Sequence, residues 1–593
     1  MVTMSTLVLQ ATPPLRFLNR VAAAPATWAM LASAVLLIGT LAWGGASFWD
    51  SLGDTDDATR LVSVRELLAG ARWFDTTLPR IGAPEPLVSH WSRLIDAPLA
   101  AMIAVFAPLL GNDSAELATR ILWPTLLFLA LVLIVASEAQ RRAGPLAAAF
   151  VLYLVITSAV AILQFRPGRI DHHNAQILCT VAGLLFLARS WEDRHFGWIA
   201  GLFLGLGLAV GYEAIALIAP ALAIAALVAI WNPQKGAAVA YAATAATVVL
   251  FLALALTVPP ERWLDLHCDA LSLNLAMLAA INTTGLWVAS FASPKRPIRF
   301  LVLGASAVVG GAIYAALEPA CLAGPYGQLN PALKPIWLDH VLETKSLFSF
   351  GASEGPTTAF AAVAFIFAGV VAQFVLWNTK RNVGMGLAAA FALLASALGC
   401  WQLRLLPYAA WLAAVPLAIW AARLPGTASL SAPVIQLAVI IFLSHATLDV
   451  SLRVFRPSTP AGETDFAAAV DRSCFRSTNV RNLAALPPGL VTADIDLGPY
   501  IVALTPHRVV AAPYHRLDKG ILASEAILRG TPEQAIPHLR DLGVSYVVLC
   551  ADQAVGGTDN SVRTRLLRGE ATKFLREFQL PPGTPIRIWK VAL

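Results

Sequence analysis

The stretch Arg166-Pro-Gly-Arg169-Ile-Asp171-His172-His173-Asn174 sets a carboxylate, two imidazoles and two guanidinium groups at the mouth of an apolar segment. Asp171 and His173, two residues apart in a short loop, offer mixed oxygen and nitrogen ligands to a divalent ion such as Mg or Mn. In a chain that is 58% hydrophobic and 13% charged, such groups beside a bilayer are costly to keep unless function requires them. Three other stretches complete the pattern. Gly53-Asp54-Thr-Asp56-Asp57-Ala-Thr-Arg60 is an acidic cluster, though acids in a first helical turn also favour the helix dipole. Glu343, in Trp337-Leu-Asp-His340-Val-Leu-Glu343-Thr-Lys345, adds a carboxylate. Arg404, in Gln402-Leu-Arg404-Leu-Leu-Pro-Tyr408, lies between two apolar segments, where an unpaired guanidinium is expensive. Singly these read as a capped helix, a loop histidine pair, a solvated acid and a snorkelling arginine. Jointly they point to metal and carboxylates facing an anionic ligand.

The elements that must carry these residues are membrane helices. The 593 residues have a mean hydropathy of +0.68 and contain many apolar runs of roughly 17–25 residues, the length that crosses a hydrocarbon core of about 30 Å. Runs such as Ala237–Val258 are apolar on every face, which excludes the alternation of a membrane barrel. Thr27–Ala46 is too long for a signal-peptide core and no small-residue cleavage site closes it. The net charge of +6 comes from scattered basic residues, fitting positive-inside loops and lipid phosphates and giving no nucleic-acid surface. Six irregularly spaced cysteines form no zinc pattern.

The spans expected are Thr27–Ala46, preceded by Arg16 and Arg20, then Ala118–Ser137, Gly144–Leu163, Asn174–Ala188, His195–Gly211, Ala214–Trp231, Ala237–Val258, Leu271–Ala292, Arg299–Leu317, Thr357–Trp377, Val383–Trp401, Leu405–Ala422 and Pro433–Leu448, about thirteen in all. Pro98–Leu110 would cover only about 20 Å as a helix and is expected at the interface. With this assignment Arg141/Arg142, Arg189/Arg194, Lys235, Lys295/Arg296, Lys380/Arg381 and Arg423 share one side, which the positive-inside rule makes cytoplasmic together with the N-terminus. The other side receives the long loops 47–96 and 318–356, the Asp171 stretch, the Arg404 turn and the C-terminal tail. Residues 1–448 then form a transmembrane domain, and 449–593 a soluble α/β domain of some 145 residues outside the membrane. Its strands are expected at Leu490–Ile495, Arg508–Ala512, Ser545–Leu549 and Ile586–Val591, with a capped helix start at Thr531-Pro-Glu-Gln534. Cys268 with Cys321, or Cys474 with Cys550, is positioned for a disulfide in an oxidising compartment.

This arrangement resembles the GT-C superfamily of integral-membrane glycosyltransferases, and within it the catalytic subunits of oligosaccharyltransferases, archaeal and bacterial single-subunit enzymes above all. Asp56-Asp57-Ala, fourteen residues before Gly70 and nine before Arg65-Glu66, is similar to the acidic motif of the family's first external loop. Asp54 and Asp57 remain alternatives to Asp56, and the spacing to Arg60 alone favours Asp54. Gly168-Arg-Ile-Asp171-His172-His173 is similar to the second acidic motif, Leu342-Glu343-Thr344 to the glutamate motif of the fifth external loop, and Arg404 to the arginine that holds the donor phosphate. Asp494-Ile-Asp496-Leu-Gly498-Pro-Tyr500 is similar to the Trp-Trp-Asp motif of the soluble domain, with Asp494 and Ile495 standing where the family has the tryptophans that read a sequon's serine or threonine.

The resemblance implies an inverting transfer of a sugar or oligosaccharide from a polyprenyl phosphate or pyrophosphate to a protein, glycan or lipid acceptor, at the periplasmic face of a bacterial inner (plasma) membrane. It implies Asp56 and Asp57 as catalytic carboxylates, Asp56 being the one to position or deprotonate the acceptor. A divalent metal, Mg or Mn, would be held by Asp56, Asp171, His173 and Glu343, with Arg404, Arg169 and Arg166 for donor phosphate and Asp496, Tyr500 and His172 toward the acceptor. Further candidates to line the site are His90-Trp-Ser-Arg93, Asp265, His267, Asp269, His507 and His515-Arg516. A transporter or flippase of lipid-linked sugar is the competing class, but its ionisable groups belong near mid-membrane; a non-catalytic membrane subunit is the other.

Overall fold

The computed structural model describes residues 24–43, 48–292, 295–353, 355–455, 473–551, 560–570 and 572–593. Arg16, Arg20 and the last residues of the expected first span lie outside them. Long alanine-, leucine- and valine-rich runs form helices because a helix pairs its backbone groups internally, which lipid demands. Among the described residues ten helices are long and apolar enough to cross a membrane, or twelve when each of two bent pairs is one span. The chain is a multi-pass membrane protein. The expected count of thirteen loses two, because His173–Arg189, at 17 residues, and Phe196–Val210, at 15, fall short of that length, and gains Arg93–Leu110, which is long enough to be counted.

The segment expected at the interface is longer than its apolar run suggested. It begins at Arg93 and runs 18 residues to Leu110, because Ser92 accepts from the Leu94 amide at 3.3 Å and so starts the helix earlier. Its length would allow a crossing. However, Arg93 and Asp96 at its start bind Ser63 and Arg60, and Glu116, just past its end, pairs with Arg65. These contacts tie the start of this segment, and the start of the helix Asn112–Ala143 that follows it, to the helix Thr55–Leu68.

The helix Leu406–Ala421 lies at the centre of the bundle, with all but Trp420 of its residues buried. Trp411 packs edge-on to Phe128 and Phe165, and its Nε1 donates to the Ala161 carbonyl at 3.1 Å. That bond satisfies a carbonyl freed where the span Pro145–Ile156 bends by 82° into Ala159–Phe165. At the opposite end from Asp171 the basic loops converge: Arg141 and Arg142 pair with Glu138 and Glu192, and Arg423 donates to the Arg142 carbonyl.

A hairpin, β1 (Thr77–Leu78) with β2 (Leu87–Val88), lies in the first long loop. The C-terminal region carries a five-stranded sheet of order β4-β3-β5-β7-β6, with β3 Leu490–Ala493, β4 Arg508–Val509, β5 Tyr546–Cys550, β6 Leu575–Phe578 and β7 Ile586–Val591. β4, β3 and β5 are parallel, and β7 and β6 antiparallel. Strand β6 was not expected: of its four residues, Leu575-Arg-Glu-Phe578, only Leu575 is buried, so the apolar-run signal is weak. The helix Pro532–Leu542 starts as expected, with the Thr531 amide donating to Gln534 Oε1 at 2.9 Å. Asp449 is no boundary in the secondary structure, since the helix His445–Phe455 runs through it. The first loop closes the sheet's edge: Gly82 and Ala83 amides donate to Val509 and Val510 carbonyls at 2.9 and 3.0 Å. Both expected cysteine pairs, Cys268–Cys321 and Cys474–Cys550, are disulfides.

Candidate metal and catalytic site

Asp54, Asp56 and Asp57 are separated by what the start of a helix needs. Asp54 is the N-cap of Thr55–Leu68, its Oδ1 accepting from the amides of Asp56 and Asp57 at 3.0 Å each. Asp57 returns the favour as the third residue of a capping box, accepting from the Asp54 amide at 3.1 Å. Its other oxygen accepts from the amides of Ile170 at 2.7 Å and Asp171 at 3.1 Å. Asp57 is thereby fully buried and holds the Asp171 loop against the helix. Gly53 is required by this packing, because its φ is +92° and a Cβ there would collide with the Asp57 carboxylate. Asp56, between the two, makes neither bond and lines the cavity.

Asp171 lies two residues before the first residue of the helix His173–Arg189 and accepts from the His173 amide at 3.0 Å. One ligand atom each from Asp56, Asp171 and His173 lies within 4.8 Å of the others. A second such group, Asp54, Asp57 and Asp171, already has its cation. Arg169 contacts Asp54, Asp57 at 2.8 Å and Asp171 at 2.7 Å. Arg169 is thus committed to three carboxylates within the protein. Arg166 lies apart from this cavity, in a separate apolar one.

Glu343 follows on the other side of His173. Its Oε1 is 3.6 Å from His173 Nε2 and its Oε2 3.9 Å from Arg404. The Leu403 amide donates to the Lys345 carbonyl at 3.0 Å, which fixes the glutamate turn against the arginine turn. Arg404 donates to Tyr326 Oη at 2.9 Å, while its Nε is buried without a hydrogen-bond partner. Asp56, His173, Glu343, Arg404 and Asp496 border one cavity of about 330 Å³ between the bundle, the first loop and the C-terminal region. Asp171, fully buried, lies behind its wall. His172 also borders it, paired with Glu213 at 3.6 Å. Tyr500 does not: its hydroxyl donates to the Gly53 carbonyl at 2.8 Å and supports the acidic turn from behind. Asp494 pairs with Arg563 at 2.6 Å, leaving Ile495 and Asp496 to face the cavity.

The secondary candidates divide in the same way. Asp269 accepts from Arg516 at 2.6 and 2.8 Å and lies 2.7 Å from His515 Nε2, with His90 at 3.9 Å, so the loop before the helix Leu273–Ala292 is latched to the C-terminal region at the cavity wall. Arg93 is buried in its pair with Asp96, and Asp265 and His267 pair with each other beside a neighbouring pocket. His507 is spent on the Leu483 carbonyl and the Gly489 amide. Three cavity residues escaped the sequence reading. Tyr514 donates to Asp56 Oδ1 at 3.0 Å, with Thr59 Oγ1 at 2.8 Å. Tyr326 holds Arg404. Glu213 sits in the break between Phe196–Val210 and Ile215–Trp231, and a carboxylate inside an otherwise apolar run was the signal for it.

The residues fit a divalent ion. Their donor set of carboxylate oxygens with one imidazole suits Mg or Mn. Burial, and then the carboxylates of Asp54, Asp171 and Glu343, push Asp56 up to about 8, the behaviour of an acid cluster short of positive charge. Burial also works to raise Asp171, but Arg169, His173 and His172 overcome it and hold that carboxyl at about 2. In the metal-free protein Asp56 therefore keeps its proton between its ordinary 3.8 and about 8, a window in which the unfolded chain has lost it. Stability from this group falls as pH rises through that window. Bound cation must displace the proton, so Mn²⁺ or Mg²⁺ should raise the melting temperature by a few degrees at about pH 8 and much less at about pH 5.5. Thermal unfolding of chelator-stripped protein at both pH values checks this, and equal shifts would argue against a site at Asp56.

No protein-family model and no curated protein matches the sequence. Solved structures do match the fold. The archaeal oligosaccharyltransferase AglB from Archaeoglobus fulgidus, in complex with an inhibitory peptide and a dolichol-phosphate, aligns with a TM-score of 0.62 at 13% identity over 88% of this chain and 69% of that one. The oligosaccharyltransferase of the same organism tethered to an acceptor peptide containing an NVT sequon gives 0.60 at 14% identity, over 89% and 69%. Its complex with Zn and sulfate gives 0.54 at 16%, over 89% and 68%. The chain has the GT-C fold of these proteins.

Proposed function

We propose that this chain is a membrane glycosyltransferase that moves a sugar or oligosaccharide from a polyprenyl phosphate or pyrophosphate to an acceptor, with inversion. The observation that carries this reading is the placement of Asp56 and His173 opposite Arg404 in one cavity, with Asp171 behind them. The bond that breaks joins the anomeric carbon to a phosphate oxygen, and the bond that forms joins that carbon to the acceptor's oxygen or nitrogen. Asp56, its orientation set by Tyr514, takes the acceptor's proton. Arg404, held by Tyr326 and Glu343 and with its Nε unpartnered, faces the leaving phosphate. A divalent ion on Asp56, Asp171 and His173, with Glu343 beside them, would supply electrostatic stabilisation of the charge developing on that phosphate. The dolichol-phosphate and acceptor peptide bound by the archaeal proteins support a lipid-linked donor.

The site end of the bundle is taken as the periplasmic face of the plasma membrane, and the N-terminus as cytoplasmic. The basic loops gathered at the other end and two disulfides near the site support that orientation. The acceptor surface differs from one built of tryptophans: Ile495 and Asp496 offer a short apolar and an acidic contact, which suits a hydroxyl-bearing glycan or lipid as well as a peptide. Mass spectrometry of glycoconjugates from cells with and without this chain tests the reading. One class of conjugate should vanish and return with the wild-type chain but not with Asp171→Ala. An unchanged glycoconjugate profile would overturn it.

A further inference from the structure

Arg166 stands out because nothing in the cavity just described uses it. It borders a second cavity of about 310 Å³, within the size range of small-ligand sites, whose walls are otherwise mostly apolar. Two broken spans meet there. The bent half after Pro145–Ile156 contributes Ala159, Val160 and Leu163, and the helix His445–Phe455, turned by 63° from Ala432–Phe442, contributes His445, Ala446 and Val450. Leu347, Phe350, Ala359 and Ala362 close the apolar wall.

Two side chains in this cavity have hydrogen-bonding capacity that the protein leaves unmet. The Arg166 guanidinium makes no hydrogen bond or ion pair among the described residues, and burial together with the like-charged Arg169 disfavours its charge. His445 is 2% exposed, and its Nε2 is buried without a hydrogen-bond partner. The carboxylate that lines the cavity, Asp449, is occupied by Arg453 at 3.0 Å and Thr358 at 3.2 Å. A guanidinium left unpaired against apolar walls among membrane helices is expensive unless an anion meets it there. At the rim Val450 is 58% exposed, so the apolar wall opens toward the surface of the bundle. The arginine lies three residues before Arg169 and at the same end as the Leu403–Leu405 turn, the level at which headgroups would sit.

We propose that this cavity binds one anionic glycerophospholipid, its phosphate on Arg166 and an acyl chain along the wall of Ala359, Ala362 and Leu406. Apolar length and a single unmatched positive charge are the two features such a lipid satisfies together; a free phosphate would leave the wall empty. The site is separate from the Asp56 cavity and does not depend on its metal or donor.

Native mass spectrometry of the full-length protein in detergent tests this, with phosphatidylglycerol, phosphatidylcholine, undecaprenyl phosphate and inorganic phosphate as separate probes. One phosphatidylglycerol should be retained about tenfold better than phosphatidylcholine and should survive millimolar inorganic phosphate. Arg166→Gln should remove the preference, and Ala362→Phe, which fills the wall without touching charge, should remove retention of both lipids. Asp56→Asn should retain phosphatidylglycerol like the wild type, so failure of the transferase reading would leave this result standing. Unchanged retention in Arg166→Gln or in Ala362→Phe would overturn the proposal. So would displacement by inorganic phosphate, or retention of undecaprenyl phosphate in place of phosphatidylglycerol.

Discussion

Asp56→Asn is expected to lower sugar transfer by at least about a thousandfold, the scale on which one electrostatic or proton-accepting group matters at a reacting centre, while the protein stays folded. Asparagine keeps the oxygen that accepts from Tyr514 and fits the same position in the first turn of Thr55–Leu68. It loses the charge that a cation and a departing acceptor proton both need. Folding should not suffer, because the carboxylate it replaces is buried beside Asp54, Asp171 and Glu343 and is disfavoured in its charged form. The melting temperature of metal-free Asp56→Asn at about pH 8 should therefore equal or exceed that of the wild type. Transfer from a synthetic polyprenyl-phosphate sugar, measured beside a melting curve, distinguishes this from misfolding. Activity within tenfold of wild type would discard Asp56 as both ligand and base. Asp57 cannot take over, since its two oxygens are occupied by the amides of Asp54, Ile170 and Asp171.

The helices and the polar residues among them were legible in the sequence because each follows from a local rule. Apolar runs of membrane length become helices, and acids flanking a turn become caps. The same rules could not rank three neighbouring aspartates. Asp54, Asp56 and Asp57 have similar chemistry, and only the cap geometry shows that two serve the backbone while one faces the cavity. Arg169 and Arg166 were grouped as phosphate ligands by proximity in sequence, but a turn between them sends one into a triad of carboxylates and the other into an apolar cavity. Tyr514 and Tyr326 were invisible for a different reason. Their partners Asp56 and Arg404 lie 458 and 78 residues away, and no periodicity carries information over such separations.

Arg169→Met should cost about 3–5 kcal/mol of stability, the range for removing one partner of a buried ion pair, and the structure says why the upper part applies. Arg169 is the shared partner of Asp54, Asp57 and Asp171, and Asp57 and Asp171 are fully buried. Methionine fills similar space but leaves these carboxylates facing one another. The positive charge of Arg169 leads the forces that hold Asp171 at about 2 against burial, so without it that carboxyl takes up a proton at higher pH. The deficit should therefore be large near neutral pH and shrink as the pH falls toward 4, where the acids are neutralised by protons instead. Lysine should restore only part of the loss, because a single ammonium cannot reproduce the forked contacts to Asp54, Asp57 and Asp171. Ligand atoms of those three residues lie within 4.8 Å of one another, so Arg169→Met also vacates a second cation site, and millimolar Mg²⁺ or Mn²⁺ should recover part of the lost melting temperature in that variant beyond its effect on the wild type. A variant that melts like the wild type at neutral pH, with no added response to divalent ions, would show that Arg169 does not neutralise the acidic turn.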